Sequence, residues 1–290
     1  MLAAGWMRAD DAVGRRPHHN KNKMNNKQSF PTGWQAAGLS LGLFLAEVLI
    51  GAGLRDAQGL LGMDNMAQSA MTVLLANAVI FVIALPMAGI TYRQLFHSSS
   101  SSVAATFALL VLPVLLLVPG LLLVMSGVMD VLLWLAPQSK WEARWFEQMT
   151  SNHVANIVAV CVLAPVLEEM LFRGVYLRSF LRLYPRWQAI LGSAILFGAM
   201  HLNIYQFFGG FIVGTMLGWL YERTHSLVPC IALHAFYNTA ITLLQPSSPG
   251  EGGSATWALS VETMYVAAVL TPLALLFLFK ILGRHADRSD

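Results

Sequence analysis

The chain has 290 residues, of which 56% are hydrophobic and 11% are charged, with a mean hydropathy of +0.59 and a formal net charge of +3. Soluble domains carry about 25% charged residues, so the composition excludes a soluble enzyme domain, a disulfide scaffold and a nucleic-acid-binding domain. The apolar residues fall in runs of about 20, the length that crosses ~30 Å of hydrocarbon. The sequence therefore predicts an all-α, polytopic membrane protein that lies in a lipid bilayer.

Residues 1–33 are polar and basic, and they precede the first apolar run. A signal peptide would place its apolar region soon after its positive charges and would end in small residues. We therefore expect a disordered basic cytoplasmic tail followed by a retained first helix.

The hydropathy pattern predicts about eight transmembrane helices. The third of them is long and contains Pro113, Pro119 and Gly120. It is either one tilted, kinked helix or a helix followed by a re-entrant piece. The predicted spans are 34–54, 69–92, 103–136, 153–177, 187–204, 207–221, 227–245 and 262–282.

The sixth predicted span is short, and glycines recur in it at every fourth position, at Gly210, Gly214 and Gly218. This spacing places bare backbone along one face of the helix. Small residues in that pattern let two helices approach closely in a membrane. The pattern predicts tight packing against a neighbouring helix.

Lys and Arg are distributed unevenly between the two sides of the predicted membrane. With the N-terminus inside, 14 of the 18 lie in inner segments and 3 in outer loops. Positive residues concentrate on the cytoplasmic side. We therefore predict an integral, multi-pass protein with both termini cytoplasmic, in the plasma membrane if the source is bacterial.

Six charged, imidazole or amide side chains lie together in three of the apolar spans. Such groups are expensive in hydrocarbon and are functional candidates by default. The fourth, fifth and seventh spans contain, in chain order, Glu168, Glu169, Arg173, His201, His234 and Asn238.

The spacing of these residues indicates how they are arranged. Glu169 and Arg173 are four residues apart and can pair on one helix face. Glu168 is rotated by about 100° on the helix, so it can face a different neighbour. His234 and Asn238 again share a face. The three helices can converge on one polar pocket.

Five other residues are weaker candidates or have a structural interpretation. Glu47 is expected to snorkel or to bond a neighbouring helix, with contact to the pocket as the less favoured alternative, and Asn77 is a weaker candidate. His153 lies at the outer membrane edge and is interpreted as structural. Cys161 and Cys230 lie inside apolar runs, where thiols usually behave as inert small hydrophobes.

The chain resembles the CPBP intramembrane endopeptidases, also called ABI or CAAX-protease-like, which include the Ras-converting-enzyme type of CAAX prenyl endopeptidase. Three motifs in that family's order carry the resemblance. The motifs are Glu168-Glu169-x-x-x-Arg173, Phe197-x-x-x-His201 and His234-x-x-x-Asn238. Ala164-Pro165 before the first motif and Phe172-Arg173-Gly174 at its end extend the match. We accordingly divide the chain into a tail (1–33), N-terminal helices (34–149), a CPBP-like catalytic core (150–245) and a last helix with a cytoplasmic tail (246–290).

The resemblance implies a hydrolase with defined roles for these side chains. Glu168 would be the general base that activates a water, and His201 would bind or orient that water. His234 and Asn238 would stabilise the oxyanion of the tetrahedral intermediate. The supporting residues would be Glu169 and Arg173.

Rival proteolytic sites find no match in the sequence. It contains no His-Glu-x-x-His zinc motif, no rhomboid Gly-x-Ser-Gly and no pair of intramembrane aspartates. A His₂-Glu zinc site remains open as an alternative, with Glu168, His201 and His234 as ligands. We favour metal-free water activation without a cofactor.

The predicted function is hydrolysis of a peptide bond. The predicted substrate is a peptide or a membrane protein, cleaved in a membrane-associated or C-terminal segment. The alternative is a non-catalytic bacteriocin-immunity or partner-binding membrane protein that uses the same pocket. A proton-coupled transporter is less well supported, because the sequence shows no internal repeats or paired broken helices.

Overall fold

The computed structural model describes residues 29–142, 157–244 and 261–283, which are nearly all helical and form no β-strand. Six of the described helices are long and apolar enough to cross a membrane. The prediction of an all-α polytopic membrane protein is confirmed. The predicted tail up to residue 28, His153 and the predicted tail beyond residue 283 lie outside the described residues.

The first two helices have clear sequence signals at their ends. Helix α1 (Gly33–Leu61) begins after Thr32, whose side chain accepts a hydrogen bond in a capping box, and it extends beyond the predicted span. Helix α2 (Asn65–Ala88) follows after a short turn. Gly62 and Gly89 end the two helices in the left-handed region, with φ of 62° and 65°, which glycine adopts without steric cost.

The long third predicted span is divided between two helices in the structure. Helices α4 (Val103–Leu115) and α5 (Val118–Leu135) are joined by two residues whose backbone stays in the right-handed helical region. Pro119 lies in the first turn of α5 and cannot donate an N–H to the preceding turn, which is a common cause of a kink. The short helix α3 (Tyr92–Phe96) precedes this pair.

The helix that carries the two glutamates is irregular. We call residues 157–183 helix α6; they form one continuous helix with two π-helical stretches, Ala159–Leu163 and Met170–Leu177. Every residue from Met170 to Leu177 is buried. Helix α6 contacts α2, α3 and the three helices that follow it, so it is the central element of the bundle.

Two predicted spans differ from the structure at their ends. Helix α7 (Arg186–Ala199) stops before His201, which lies in a turn. Helix α8 (Ile204–Thr224) has 21 residues and is not short as predicted. The side chain of Asn203 accepts hydrogen bonds from the first backbone N–H groups of α8, so this N-cap sets the boundary.

The last two described helices are α9 (Leu227–Leu244) and α10 (Val261–Gly283). Helix α9 packs against α4, α6 and α8, and α10 packs against α5. Large apolar side chains on α10, such as Leu273 and Leu276, are exposed, as are Leu45 and Leu49 on α1. These outer faces are suited to contact with lipid.

Helices α7 and α8 pack backbone to backbone. A Cβ on Gly198 would lie 2.6 Å from the carbonyl oxygen of Phe207, and one on Gly210 would lie 3.0 Å from the Cα of Gly198. A Cβ on Gly218 would lie 3.0 Å from the side chain of Ile190. The predicted packing role of the glycine row is confirmed.

We expect Gly198→Ala to lower the free energy of unfolding of the detergent-solubilised protein by about 1–3 kcal/mol, because the added methyl group meets backbone that cannot move freely. Thermal unfolding followed by circular dichroism measures the change. Gly192→Ala on the same helix is the matched control, since its Cβ would meet only the ring of Phe180 at 3.8 Å. Equal stability of the two variants would contradict the close packing.

Candidate active site

The site is built around a buried carboxylate, that of Glu169. Its Oε1 accepts a hydrogen bond from Nη1 of Arg173 and one from Nδ1 of His234, each at 2.9 Å. The side chains of Glu169 and Arg173 are completely buried. The ion pair that the i, i+4 spacing predicts is therefore present, and the histidine of α9 joins it.

Arg173 links this group to helices α7 and α8. Its Nη2 donates to the backbone carbonyl of Gly214 at 3.0 Å. Its guanidinium lies 4.6 Å from the centre of the Phe197 ring, within the range of a cation–π interaction. A Cβ on Gly214 would lie 3.1 Å from Nη2, so glycine leaves room for the arginine.

His234 lies between the two glutamates. Its Nε2 is 3.6 Å from Oε2 of Glu168, while its Nδ1 bonds Glu169. One imidazole ring therefore reaches both carboxylates through its two nitrogens. The Glu168 side chain is 31% exposed and that of Glu169 is fully buried, so of these two carboxylates Glu168 is the accessible one.

His201 lies at the end of α7, in the turn before α8. Its Nδ1 is 3.1 Å from the carbonyl oxygen of Phe197. Because a carbonyl only accepts, Nδ1 carries the proton, and Nε2 of the neutral ring is left as an acceptor. The ring of Phe197 meets His201 and His234 edge to face, with centroids 5.4 and 5.5 Å away, so both histidines border the same aromatic ring.

Asn238 bonds the backbone of α6. Its Nδ2 donates to the carbonyl oxygen of Val160 at 2.9 Å. The N–H of Ala164 bonds Ala159 in the π-helical pattern, and Pro165 has no N–H to offer. The carbonyl of Val160 therefore receives no hydrogen bond from residue 164 or 165, and the side chain of Asn238 supplies one instead. The second N–H of the Asn238 amide remains for another acceptor.

Three groups in this arrangement received no role from the sequence. Phe197 was noted only as part of a motif, and Gly214 only as a packing residue. The sequence does give an indirect sign that the carbonyl of Val160 lacks a helical donor, because Pro165, five residues later, has no N–H.

The weaker candidate Asn77 bonds the carbonyl of Val73 on its own helix at 2.9 Å, so that bond is local to α2.

In the described parts of the chain, no group of three or more His, Cys, Asp or Glu side chains is arranged to hold a metal ion. The triad of Glu168, His201 and His234 is therefore not assembled as a ligand set.

Residues 150–240 match the family model described as Type II CAAX prenyl endopeptidase Rce1-like. This segment contains all six candidate site residues, and the match confirms the family resemblance that the three motifs predict. The matched segment and the apolar helices together identify an integral membrane protein with a CAAX protease-like region.

A stretch of 87 residues is 34% identical to the UPF0177 protein YaiF of Lactococcus lactis subsp. lactis (strain IL1403). The similarity covers 30% of this chain and 38% of that protein, so it spans well under half of the relative's length. No solved structure matches the chain.

We expect Arg173→Met to lower the free energy of unfolding by about 3–5 kcal/mol, because it leaves the charge of Glu169 buried without its cation. The double variant Glu169→Gln, Arg173→Met should recover part of this loss. The control is Arg186→Met, which breaks a partly exposed pair with Glu222 and should cost about 0–1 kcal/mol. Similar losses at Arg173 and Arg186 would argue against the buried network.

Asn238→Ala should lower the free energy of unfolding by about 1–3 kcal/mol, since the carbonyl of Val160 then loses its donor. The loss should shrink in a Pro165→Ala background, where position 165 regains an N–H. A double-mutant cycle measured by thermal unfolding tests this coupling. Additive effects of the two substitutions would show that the proline and the asparagine are unrelated.

Proposed function

We propose that the protein is an intramembrane endopeptidase in which Glu168 activates a water for attack on a peptide bond. The observation that carries this proposal is the contrast between two adjacent carboxylates. Glu169 is fully buried and bonded by Arg173 and His234, whereas Glu168 is partly exposed beside the same histidine. One acid is thus held as a structural anion, and the other is left accessible to water and substrate.

The chemistry follows from these positions. Glu168 takes a proton from water, and the oxygen of that water attacks the carbonyl carbon of the substrate. The carbonyl oxygen becomes an oxyanion, and the C–N bond breaks as Glu168 returns the proton to the leaving amine. General acid–base catalysis of this kind contributes about 10²–10⁴-fold in rate.

His201 is proposed to bind the water. The carbonyl of Phe197 holds its Nδ1 proton, which leaves the Nε2 lone pair to accept a hydrogen bond from water. A histidine fixed in this tautomer orients the water without supplying charge.

His234 and Asn238 are proposed to stabilise the oxyanion. Since Glu169 accepts the Nδ1 proton of His234, this histidine donates from Nε2 only when the ring is doubly protonated. Asn238 has a second N–H beyond the one given to Val160. Donors held in place before the reaction stabilise a developing oxyanion most effectively.

The substrate class that fits this site is a peptide segment that reaches the membrane interior, such as a membrane-protein segment or a C-terminal membrane-associated peptide. The location of the polar residues inside an apolar bundle supports this class, because a water-soluble chain would not reach them unaided. We further propose that both termini are cytoplasmic, on the strength of the Lys and Arg distribution.

The test is cleavage of a quenched peptide library by the detergent-purified protein. We expect Glu168→Gln to lower kcat by about 10²–10⁴-fold, since it preserves shape and removes the base. Glu222→Gln is the matched control, because it removes a carboxylate engaged with Arg186 and Arg223 outside the site, and it should retain activity. A strong chelator should leave the wild type unaffected.

Two results would overturn this assignment. Cleavage by Glu168→Gln at the wild-type rate would exclude Glu168 as the base. Loss of activity with chelator and recovery with zinc would make the two histidines ligands. If neither the wild type nor Glu168→Gln cleaves any peptide, and cells that carry the variant keep the phenotype that the wild-type protein confers, the non-catalytic binding function would be favoured.

A further inference from the structure

A third acidic residue, Glu47 of α1, faces the same region of the bundle. Helix α1 runs antiparallel to α6 and contacts both α6 and the residue that follows it. The backbone N–H of Gly33 donates to the hydroxyl of Tyr184 at 3.0 Å, and the hydroxyl of Ser40 donates to that of Tyr176 at 3.2 Å. These two contacts show the register of the helices.

The register continues to Glu47 and Glu168. From the first contact to the second, α1 advances seven residues and the α6 side advances eight. Seven residues are nearly two turns of an α-helix. Residues 178–183 are α-helical and Tyr184 ends the helix in an extended conformation. The next eight residues, from 176 back to 168, pass mainly through the π-helical stretch Met170–Leu177, in which eight residues again make about two turns because π-helical turns hold more residues than α-helical ones. One further step of the same size pairs position 47 with position 168.

A second observation agrees with this register. Glu47 is half-buried and lies near enough to Glu168 for the two carboxyl groups to interact electrostatically. In the described parts of the chain, no Lys or Arg forms an ion pair with Glu47. Two ionised carboxylates side by side in hydrocarbon are strongly disfavoured, so one member of the pair is neutral and can donate its O–H to the other.

Glu168 lacks a firm partner on its other side. The distance of 3.6 Å to Nε2 of His234 is longer than a hydrogen bond. Orientation of the carboxylate therefore requires a second group, and Glu47 is the acidic side chain that the register brings to it.

We propose that Glu47 is a positioning residue of the site: its neutral carboxyl group donates a hydrogen bond to Glu168 and holds that carboxylate towards the water. This inference rests on the proposed role of Glu168. It adds helix α1, which lies outside the matched segment 150–240, to the elements that form the site.

The first test measures kcat and KM for a cleaved peptide. We expect Glu47→Ala to lower kcat by about 10–100-fold, because a small misplacement of a reacting group can cost as much as 10²-fold in rate, with KM unchanged. Glu47→Gln should restore most of kcat, because its amide N–H donates over the same reach. Ser40→Ala is the control, since it removes the neighbouring contact between α1 and α6 without touching the acids, and it should keep kcat.

The second test does not depend on activity. In a background without Cys161 and Cys230, Glu47→Cys with Glu168→Cys should be joined by a short bifunctional maleimide, as detected by mass spectrometry of the intact chain. Gly38→Cys with Glu168→Cys is the control, because position 38 lies more than two turns away along α1, and it should not be joined.

Several outcomes would reject the role of Glu47. They are full kcat in Glu47→Ala, an equal loss in Glu47→Gln and Glu47→Ala, an equal loss in Ser40→Ala, or failure of the 47–168 pair to cross-link. If Glu168→Gln is inactive while Glu47→Ala is fully active, the endopeptidase proposal stands and only this inference fails. If Glu168→Gln is active, the proposed function itself fails.

Discussion

The burial of one carboxylate, that of Glu169, is the constraint on which the arrangement of the bundle depends. A carboxylate inside a membrane protein needs charge compensation and hydrogen bonds. Arg173 provides the charge from the same helix and also donates from Nη2 to the backbone of α8, while His234 provides a second donor to Glu169 from α9. Three helices are therefore held in one relative orientation, and the accessible glutamate next to Glu169 acquires a defined position as a consequence.

The irregular geometry of α6 distributes the polar groups around this centre. Its two π-helical stretches flank the short α-helical segment Ala164–Glu169, which carries both acids. π-Helical segments cost regular hydrogen bonding and often occur at functional sites. Here the first stretch, together with Pro165, exposes a carbonyl that Asn238 binds, and the second places Arg173 against Phe197 and Gly214.

The sequence predicts those features that depend on short-range spacing. The hydropathy runs locate the helices to within a turn or two, and the spacing of four predicts the pair of Glu169 and Arg173. Features that depend on irregular backbone escape prediction, because no apolar periodicity reports a π-helical stretch. For that reason the neighbours of Glu168 and Asn238 were not foreseen. The residues around His201 are apolar, so hydropathy does not show where α7 ends. Asn203 is a typical N-cap residue, and it is the signal that could have located the boundary between α7 and α8.

The glycine contact between α7 and α8 has a consequence for access to the site. Where two backbones touch, no side chains can change rotamer to open a gap, and the short turn at residues 200–203 joins the two helices at one end. The pair is therefore packed as one hairpin with His201 near its tip, and it offers no gap between its two helices. In the proposed reaction, a peptide entering from the lipid would have to pass between other helices.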